Sequence, residues 1–261
     1  MSVYVIADIH GCYKDFMKLI KKSDFKWEND ELIIAGDLIE RGPDNYKMLK
    51  WMEDMPECVT VLMGNHDYSF MNDCLMFIDY VDKYEFTGNL RKFIKEYPGV
   101  FNIVKDKYHT IRELIKKNNI SYDDLVKWSS IISRFDYTKE LMVNEKEYII
   151  VHAGYLDTAA YSDPDFLARR YGFNSEKHFN LWARREAKVI GGKSGATIIS
   201  GHSPTILDLG YFNNGRIYRY YDKSKDCYFI NIDCGCCYRK YKENANLAMI
   251  RLGDEKEYYL K

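Results

Sequence analysis

Five short apolar runs in this chain each end on a cluster of polar, chemically active residues. Residues 3–7 lead into Asp8-Ile9-His10-Gly11, residues 31–35 into Gly36-Asp37-Leu38-Ile39-Glu40-Arg41-Gly42, and residues 59–63 into Gly64-Asn65-His66-Asp67. Further on, residues 147–151 lead into His152-Ala153-Gly154 and residues 197–200 into Gly201-His202. Between the first three runs lie two segments with helical spacing, Phe16, Leu19 and Ile20 in one and Met48, Leu49 and Met52 in the other. Strand, loop, helix, strand, loop, helix, strand is the rhythm of an α/β sheet with helical crossovers. Side chains at strand ends are fixed by the sheet while the loops leave an open face.

Each cluster alone has a plain structural reading. Asp8 or Asp37 would serve as a cap or turn residue, and His152 or His202 as an interior histidine. Five such endings in one chain point instead to a common site. Four of the six histidines fall in these clusters, and His109 and His178 read as surface or packing residues. Three histidines, two aspartates and an asparagine form a mixed nitrogen and oxygen donor set. Such a set suits transition metals better than a calcium or magnesium cage, which has no need of imidazole.

The bulk numbers bound the remaining choices. The chain has 261 residues, 46% of them hydrophobic, enough for one large domain or one domain with an insertion. A formal charge of −1 gives no global field that would recruit nucleic acid or an anionic membrane. The sequence opens directly on strand-like residues, and no apolar run is long enough to span a bilayer. With seven cysteines, an odd number, the expectation is a cytoplasmic protein with reduced thiols. Cys234-Gly235-Cys236-Cys237 lacks a second Cys or His pair at zinc spacing and reads as a packed turn, with a redox role the minority alternative.

From residue 68 to 139 the character changes to helix-favouring sequence rich in Tyr, Phe and Lys, with helices expected over 89–97, 110–118 and 121–133. This region reads as a helical insertion or cap beside the site. Strands are expected again at 147–151, 197–200, 216–221, 227–232 and 247–252. The 23 tyrosines could stack on a nucleotide base, although packing explains most of them.

The ordered set Asp-x-His-Gly, Gly-Asp-x-x-x-Arg-Gly, Gly-Asn-His-Asp, Val-His-Ala-Gly and Ser-Gly-His-Ser-Pro resembles the calcineurin-like metallophosphoesterases. More narrowly it is similar to the phosphoprotein phosphatase branch, which also holds symmetrical diadenosine tetraphosphatases. The resemblance runs from Tyr4 to about Tyr238 and is weakest over 68–139. It implies one domain over 1–261 with an α/β/β/α sandwich of two mixed sheets and the helical insertion. It implies two divalent metals, Mn first with Fe or Zn as alternatives, held by Asp8 and His10, by a bridging Asp37, and by Asn65, His152 and His202. Arg41 and Arg184 would grip phosphate, with Arg185 in reserve. His66 would protonate the leaving group, with Glu40 and Asp67 completing the catalytic set.

The chemistry is coherent with those roles. Two cations about 3.5–4 Å apart clamp a phosphoryl group and lower the pKa of a bridging water, whose hydroxide attacks in line. Two guanidinium forks complement the equatorial oxygens. One departure stands out: the family carries aspartate where this chain has Glu40, so a Glu40–His66 pairing is a hypothesis and an ion pair with Arg41 the alternative. The expected substrate is a phosphoserine or phosphothreonine protein, with symmetrical dinucleoside tetraphosphate hydrolysis the alternative. A non-catalytic binding module would lack a ligand, His66 or Arg41, and none is missing.

Overall fold

The computed structural model describes residues 1–99, 109–157, 163–207 and 215–260; residues 100–108 of the expected insertion lie outside these. The first sheet has the order β10-β9-β1-β2-β3. Its strands are β1 (Val3–Ile6), β2 (Glu31–Ile34), β3 (Val59–Val61), β9 (Ala248–Arg251) and β10 (Glu257–Tyr259). The second has the order β4-β5-β6-β8-β7. It is built from β4 (Thr138–Val143), β5 (Lys146–Val151), β6 (Ala196–Ser200), β7 (Tyr218–Asp222) and β8 (Cys227–Asn231). Each sheet has three parallel strands, β1-β2-β3 and β5-β6-β8, with antiparallel strands added at the edges.

Alternation along the strands sorts the side chains into layers. Val3, Val5, Ala7, Ile33 and Ala35 point inward and pack with Tyr148, Ile150, Ile199 and Ile230 of the other sheet. Tyr4, Ile6, Leu32 and Ile34 point outward into a helical layer. That layer is formed by α1 (Tyr13–Lys22), α2 (Asn45–Glu53), α3 (Asn65–Lys83), α4 (Leu90–Glu96), α5 (His109–Asn118) and α6 (Tyr122–Ile132). On the far side, α7 (Pro164–Arg170), α8 (Glu176–Trp182) and α9 (Arg185–Val189) cover the second sheet through Phe179, Ala183 and Ala187. Both sheets are therefore covered on both faces, which is why β1, β2 and β5 read as near-continuous apolar runs. The architecture is the expected α/β/β/α sandwich.

Among the described residues of 68–137, helices predominate and pack into the main core. Phe70, Cys74, Phe77 and Val81 of α3 and Leu125, Trp128 and Ile132 of α6 share one core with β1 and β2. The second outer layer, α7–α9, carries no clear signal in the sequence. No described helix is long and apolar enough to cross a membrane.

Candidate metal centre

The five loops that follow the apolar runs meet at one edge of the sandwich. Loops one and two are laced together by Asp8 N–H to Gly36 O (3.1 Å), His10 N–H to Asp37 O (2.8 Å) and Gly11 N–H to Leu38 O (2.9 Å). To aim their side chains inward, Asp8, His10, Asp37, Glu40, Arg41 and His202 all take left-handed backbone conformations, with φ between 49° and 74°. Each costs a non-glycine residue about 1–3 kcal/mol, and such strain gathers at functional sites. Gly64 is required by contact: a Cβ there would lie 2.1 Å from the Asp37 nitrogen and 2.3 Å from Asp37 Oδ1.

The donor atoms converge. Asn65 Oδ1 lies 2.9 Å from both His152 Nε2 and His202 Nδ1. Asp37 Oδ1 is 3.5 Å from His152 Nε2, and Asp37 Oδ2 is 3.5 Å from His10 Nε2. Donor atoms of Asp37, His152 and His202 lie within 4.8 Å of one another, as do those of His10, Asp37 and His66. Asp37 belongs to both groups, the position a bridging ligand would take. Asp8 joins the cluster through its carboxylate, which accepts the His202 N–H at 3.0 and 3.1 Å.

The tautomers make these contacts informative. His152 Nδ1 faces the Ala35 carbonyl at 3.0 Å and His10 Nδ1 faces the Ile39 carbonyl at 3.2 Å. A carbonyl can only accept, so Nδ1 carries the proton in both rings. Burial holds the imidazoles of His10, His152 and His202 below their ordinary pKa, His10 at about 3, so they are neutral near pH 7. The Nε2 lone pairs of His10 and His152 therefore face oxygens of Asp37 and Asn65 that also only accept. A cation between these groups would turn acceptor-to-acceptor contacts into favourable ones.

The carboxylates give the same answer. Burial, reinforced by repulsion from Asp233 and Asp37, raises the Asp8 carboxyl well above its usual value. Burial likewise pushes Asp67 and Asp233 up to about 7. Burial alone would raise Asp37 too, but the converging rings of His152 and His10 hold it below the usual carboxylate range. So many buried acids around neutral imidazoles lack positive charge. The residues present fit a dinuclear metal centre.

Around this centre the other expected residues divide. His66, in the first turn of α3, directs Nδ1 to Glu40 Oε2 at 2.7 Å, so the pairing proposed from sequence is formed. Burial would lower its pKa, but the Glu40 carboxylate outweighs that and raises it. Arg41 approaches from the same loop, with Nη1 3.5 Å from His10 Nε2. Arg184 enters from the turn after α8 and donates from Nη1 to His202 O (3.2 Å) and Ser203 Oγ (3.1 Å). Asp67 does not join the reacting groups. As the third residue of α3 it turns back, and its two oxygens accept from Gly64 N–H (3.1 Å) and Leu38 N–H (3.0 Å). That is the role of a carboxylate capping a helix N-terminus, and it locks two ligand loops together.

The thiols form no metal group among the described residues. Cys234 packs between the sheets and Cys236 in the helical layer, and all seven cysteines are free. Sequence reasoning missed the cleft beside the centre. It has a volume of about 670 Å³, and Glu40 is among its lining residues. Tyr68, Asn72 and Met76 of α3 form one wall; His178, Leu181 and Trp182 of α8 form the other, with Tyr137 and Lys177 also lining it. His178, read as a packing residue, is part of that wall.

Comparison with known proteins agrees with this geometry. Residues 1–231 match the family described as calcineurin-like phosphoesterase. Over 71 residues the chain is 46% identical to a symmetrical bis(5'-nucleosyl)-tetraphosphatase of Buchnera aphidicola, covering 27% of this chain and 26% of that one. Its counterpart in Erwinia tasmaniensis is 43% identical over 67 residues, 26% of this chain and 24% of the relative. The match thus spans about a quarter of the length of these relatives. Among solved structures, a candidate diadenosine tetraphosphatase superposes with a TM-score of 0.55 at 17% identity, over 99% of this chain and 92% of that one. A serine/threonine phosphatase of Saccharomyces cerevisiae gives 0.51 at 13% identity, over 97% and 72%. At these identities the structures establish the fold alone.

Proposed function

This chain belongs to the calcineurin-like phosphoesterases, and on that premise we propose that it is a metal-dependent hydrolase of dinucleoside polyphosphates, splitting a phosphoanhydride between two nucleotides. The observation that carries the reading is the cleft. Glu40, the partner of His66, is among the residues that line it, together with Tyr68, Tyr137 and Trp182. Tyr68 and Trp182 each keep 38% of their surface exposed, enough to offer aromatic surface to a planar base. Base stacking on an aromatic side chain is worth about 1–3 kcal/mol. The sequence relatives carry a dinucleoside tetraphosphatase name, which supports the same choice.

Asp8, His10, Asp37, Asn65, His152 and His202 would hold two divalent cations, and Mn, Fe and Zn all suit this donor set. When bound, these supply Lewis acidity toward the phosphoryl oxygens and toward a water nucleophile. The protein's own groups do the rest. Arg41 and Arg184 orient the phosphoryl oxygens. His66, kept protonated by Glu40, faces the departing oxygen with Nε2 and hands it a proton. Asp67 holds the ligand loops in register.

The expectation of a phosphoserine or phosphothreonine protein substrate is the weaker reading, since its support is a likeness of fold. Metal-stripped protein reconstituted with Mn²⁺ and assayed on diadenosine tetraphosphate, a phosphoserine peptide and p-nitrophenyl phosphate separates the two. The dinucleotide should be turned over with the highest kcat/KM. Tyr68→Ala should raise its KM about tenfold, in line with one lost stack, and leave p-nitrophenyl phosphate unaffected. Turnover of the phosphopeptide with none of the dinucleotide overturns the proposal.

A further inference from the structure

The Glu40 carboxylate makes a second contact, with a residue far along the chain. Its Oε2 meets His66 Nδ1 at 2.7 Å, while Oε1 accepts a hydrogen bond from Thr110 Oγ1 at 3.0 Å. Thr110 lies 70 residues away, in the first turn of α5, and is 7% exposed. Its neighbours Ile111, Leu114 and Ile115 are buried in the helical layer, so the hydroxyl is held by the packing of a whole helix. At its other end Glu40 is fixed by its N–H to Asn45 Oδ1 (2.8 Å) and by a left-handed φ of 74°.

We propose that Thr110 is a positioning residue for the proton donor, acting through Glu40 on His66. A glutamate reaches further than an aspartate and has one more rotatable bond. Without a contact on Oε1 its carboxylate would sample several orientations, and only some present Oε2 to Nδ1. The Thr110 hydroxyl selects one. It thereby fixes the ring orientation of His66, with Nδ1–H toward Glu40 and Nε2 toward the site. The helical insertion thus reaches the proton donor through the Thr110 hydroxyl, the third member of the relay Thr110–Glu40–His66.

The inference rests on His66 being the proton donor, and the test separates the two claims. Thr110→Val, Thr110→Ala, Thr110→Ser and His66→Asn are compared on phenyl phosphate, whose leaving group is the more basic, and on p-nitrophenyl phosphate, which needs little protonation. The His66 Nδ1–H proton resonance, assigned by its loss in His66→Asn, is followed in the metal-stripped protein. A well-placed general acid contributes roughly 10²–10⁴-fold. Thr110→Val or Thr110→Ala should forfeit roughly tenfold of that in kcat for phenyl phosphate, with KM and p-nitrophenyl phosphate turnover within about twofold of the parent. The resonance should broaden in both and return in Thr110→Ser with the rate. An unchanged resonance together with an unchanged ratio of the two kcat values in folded Thr110→Val or Thr110→Ala overturns the inference. If His66→Asn affects both substrates alike, the proton-donor role falls. The resonance alone then decides whether Thr110 positions the ring.

Discussion

Replacing Gly201 by alanine should cost the protein one metal ion without unfolding it. Gly201 follows β6, its N–H bonded to His152 O at 2.9 Å, and no positive φ stands in the way of a side chain. The obstacle is contact: a Cβ there would lie 1.9 Å from Asp8 Oδ2 and 2.8 Å from Ala7 Cβ. Asp8 cannot retreat with its backbone, because its N–H is tied to Gly36 O and it continues a central strand. Ordinary van der Waals contact begins at 3.4 Å, so the carboxylate oxygen must swing away by about 1.5 Å. Metal–ligand distances tolerate about 0.2 Å. Misplacing a residue that merely supports a ligand costs about 10–100-fold in affinity. Losing Asp8 itself should therefore weaken the site of Asp8, His10 and Asp37 at least 100-fold, about 2.7 kcal/mol. The crowding should destabilise the fold by about 1–3 kcal/mol, leaving a cooperative transition. Calorimetric titration of metal-stripped protein with Mn²⁺ should find two sites in the parent and one in Gly201→Ala. Gly64→Ala, which crowds Asp37, the residue shared by both donor groups, should weaken both. Gly99→Ala, where an added Cβ meets nothing within 4 Å, is the control. Two sites of parental affinity in Gly201→Ala would refute Asp8 as a ligand.

Three further outcomes follow from the electrostatics. Because neutral imidazoles face acceptor oxygens in the metal-free protein, Mn²⁺ at about 100 times its Kd should add about 2.7 kcal/mol per site and raise Tm by several degrees; an unmoved Tm denies the site. Glu40 raises the pKa of His66, so the protonated donor persists to higher pH and activity is lost as pH rises through that value. Glu40→Gln should move the basic limb of the kcat profile to lower pH, and an unmoved limb breaks the pairing. Burial, then repulsion from Asp37, lifts Asp233 from 3.8 to about 7. Between those values the metal-free folded state keeps a proton that the unfolded chain has released, so this residue's contribution to stability falls as pH rises. Asp233→Asn keeps the acceptor for Gly235 N–H. In urea unfolding without metal it should gain a few kcal/mol on the parent between about pH 4.5 and pH 8. Parallel pH curves for the two would exclude the effect.

The reach of the sequence follows from which contacts are local. Each candidate ligand sits within a few residues of a strand end, so a strand pattern and a donor type occur together, and although no single loop is decisive, the five endings taken jointly bring out Asp8, Asp37, Asn65, His152 and His202. Asp67 shows where locality misleads. It stands beside His66, but the helix beginning at Asn65 turns its third residue back onto the Gly64 amide, and the chemistry next door is lost to it. The edge strand Thr138–Val143 escaped notice because none of its residues is buried and no apolar–polar alternation marks it. The cleft walls escaped because Tyr68 and Trp182, far apart along the chain, are brought to one cleft by tertiary packing and by no shared pattern.

Glu40 joins these two kinds of information. The sequence marks it as a departure, a longer acid where a shorter one is usual, without saying what an extra methylene would need. The fold supplies the answer in Thr110, from a segment whose composition speaks only of helix. A longer side chain next to a proton donor is tolerable when something holds its second oxygen, and a hydroxyl on a packed helix does so at little entropic cost, since the helix is ordered for other reasons. The departure and the insertion, which look unrelated along the chain, are therefore one device, and changing either alone should disturb the same proton.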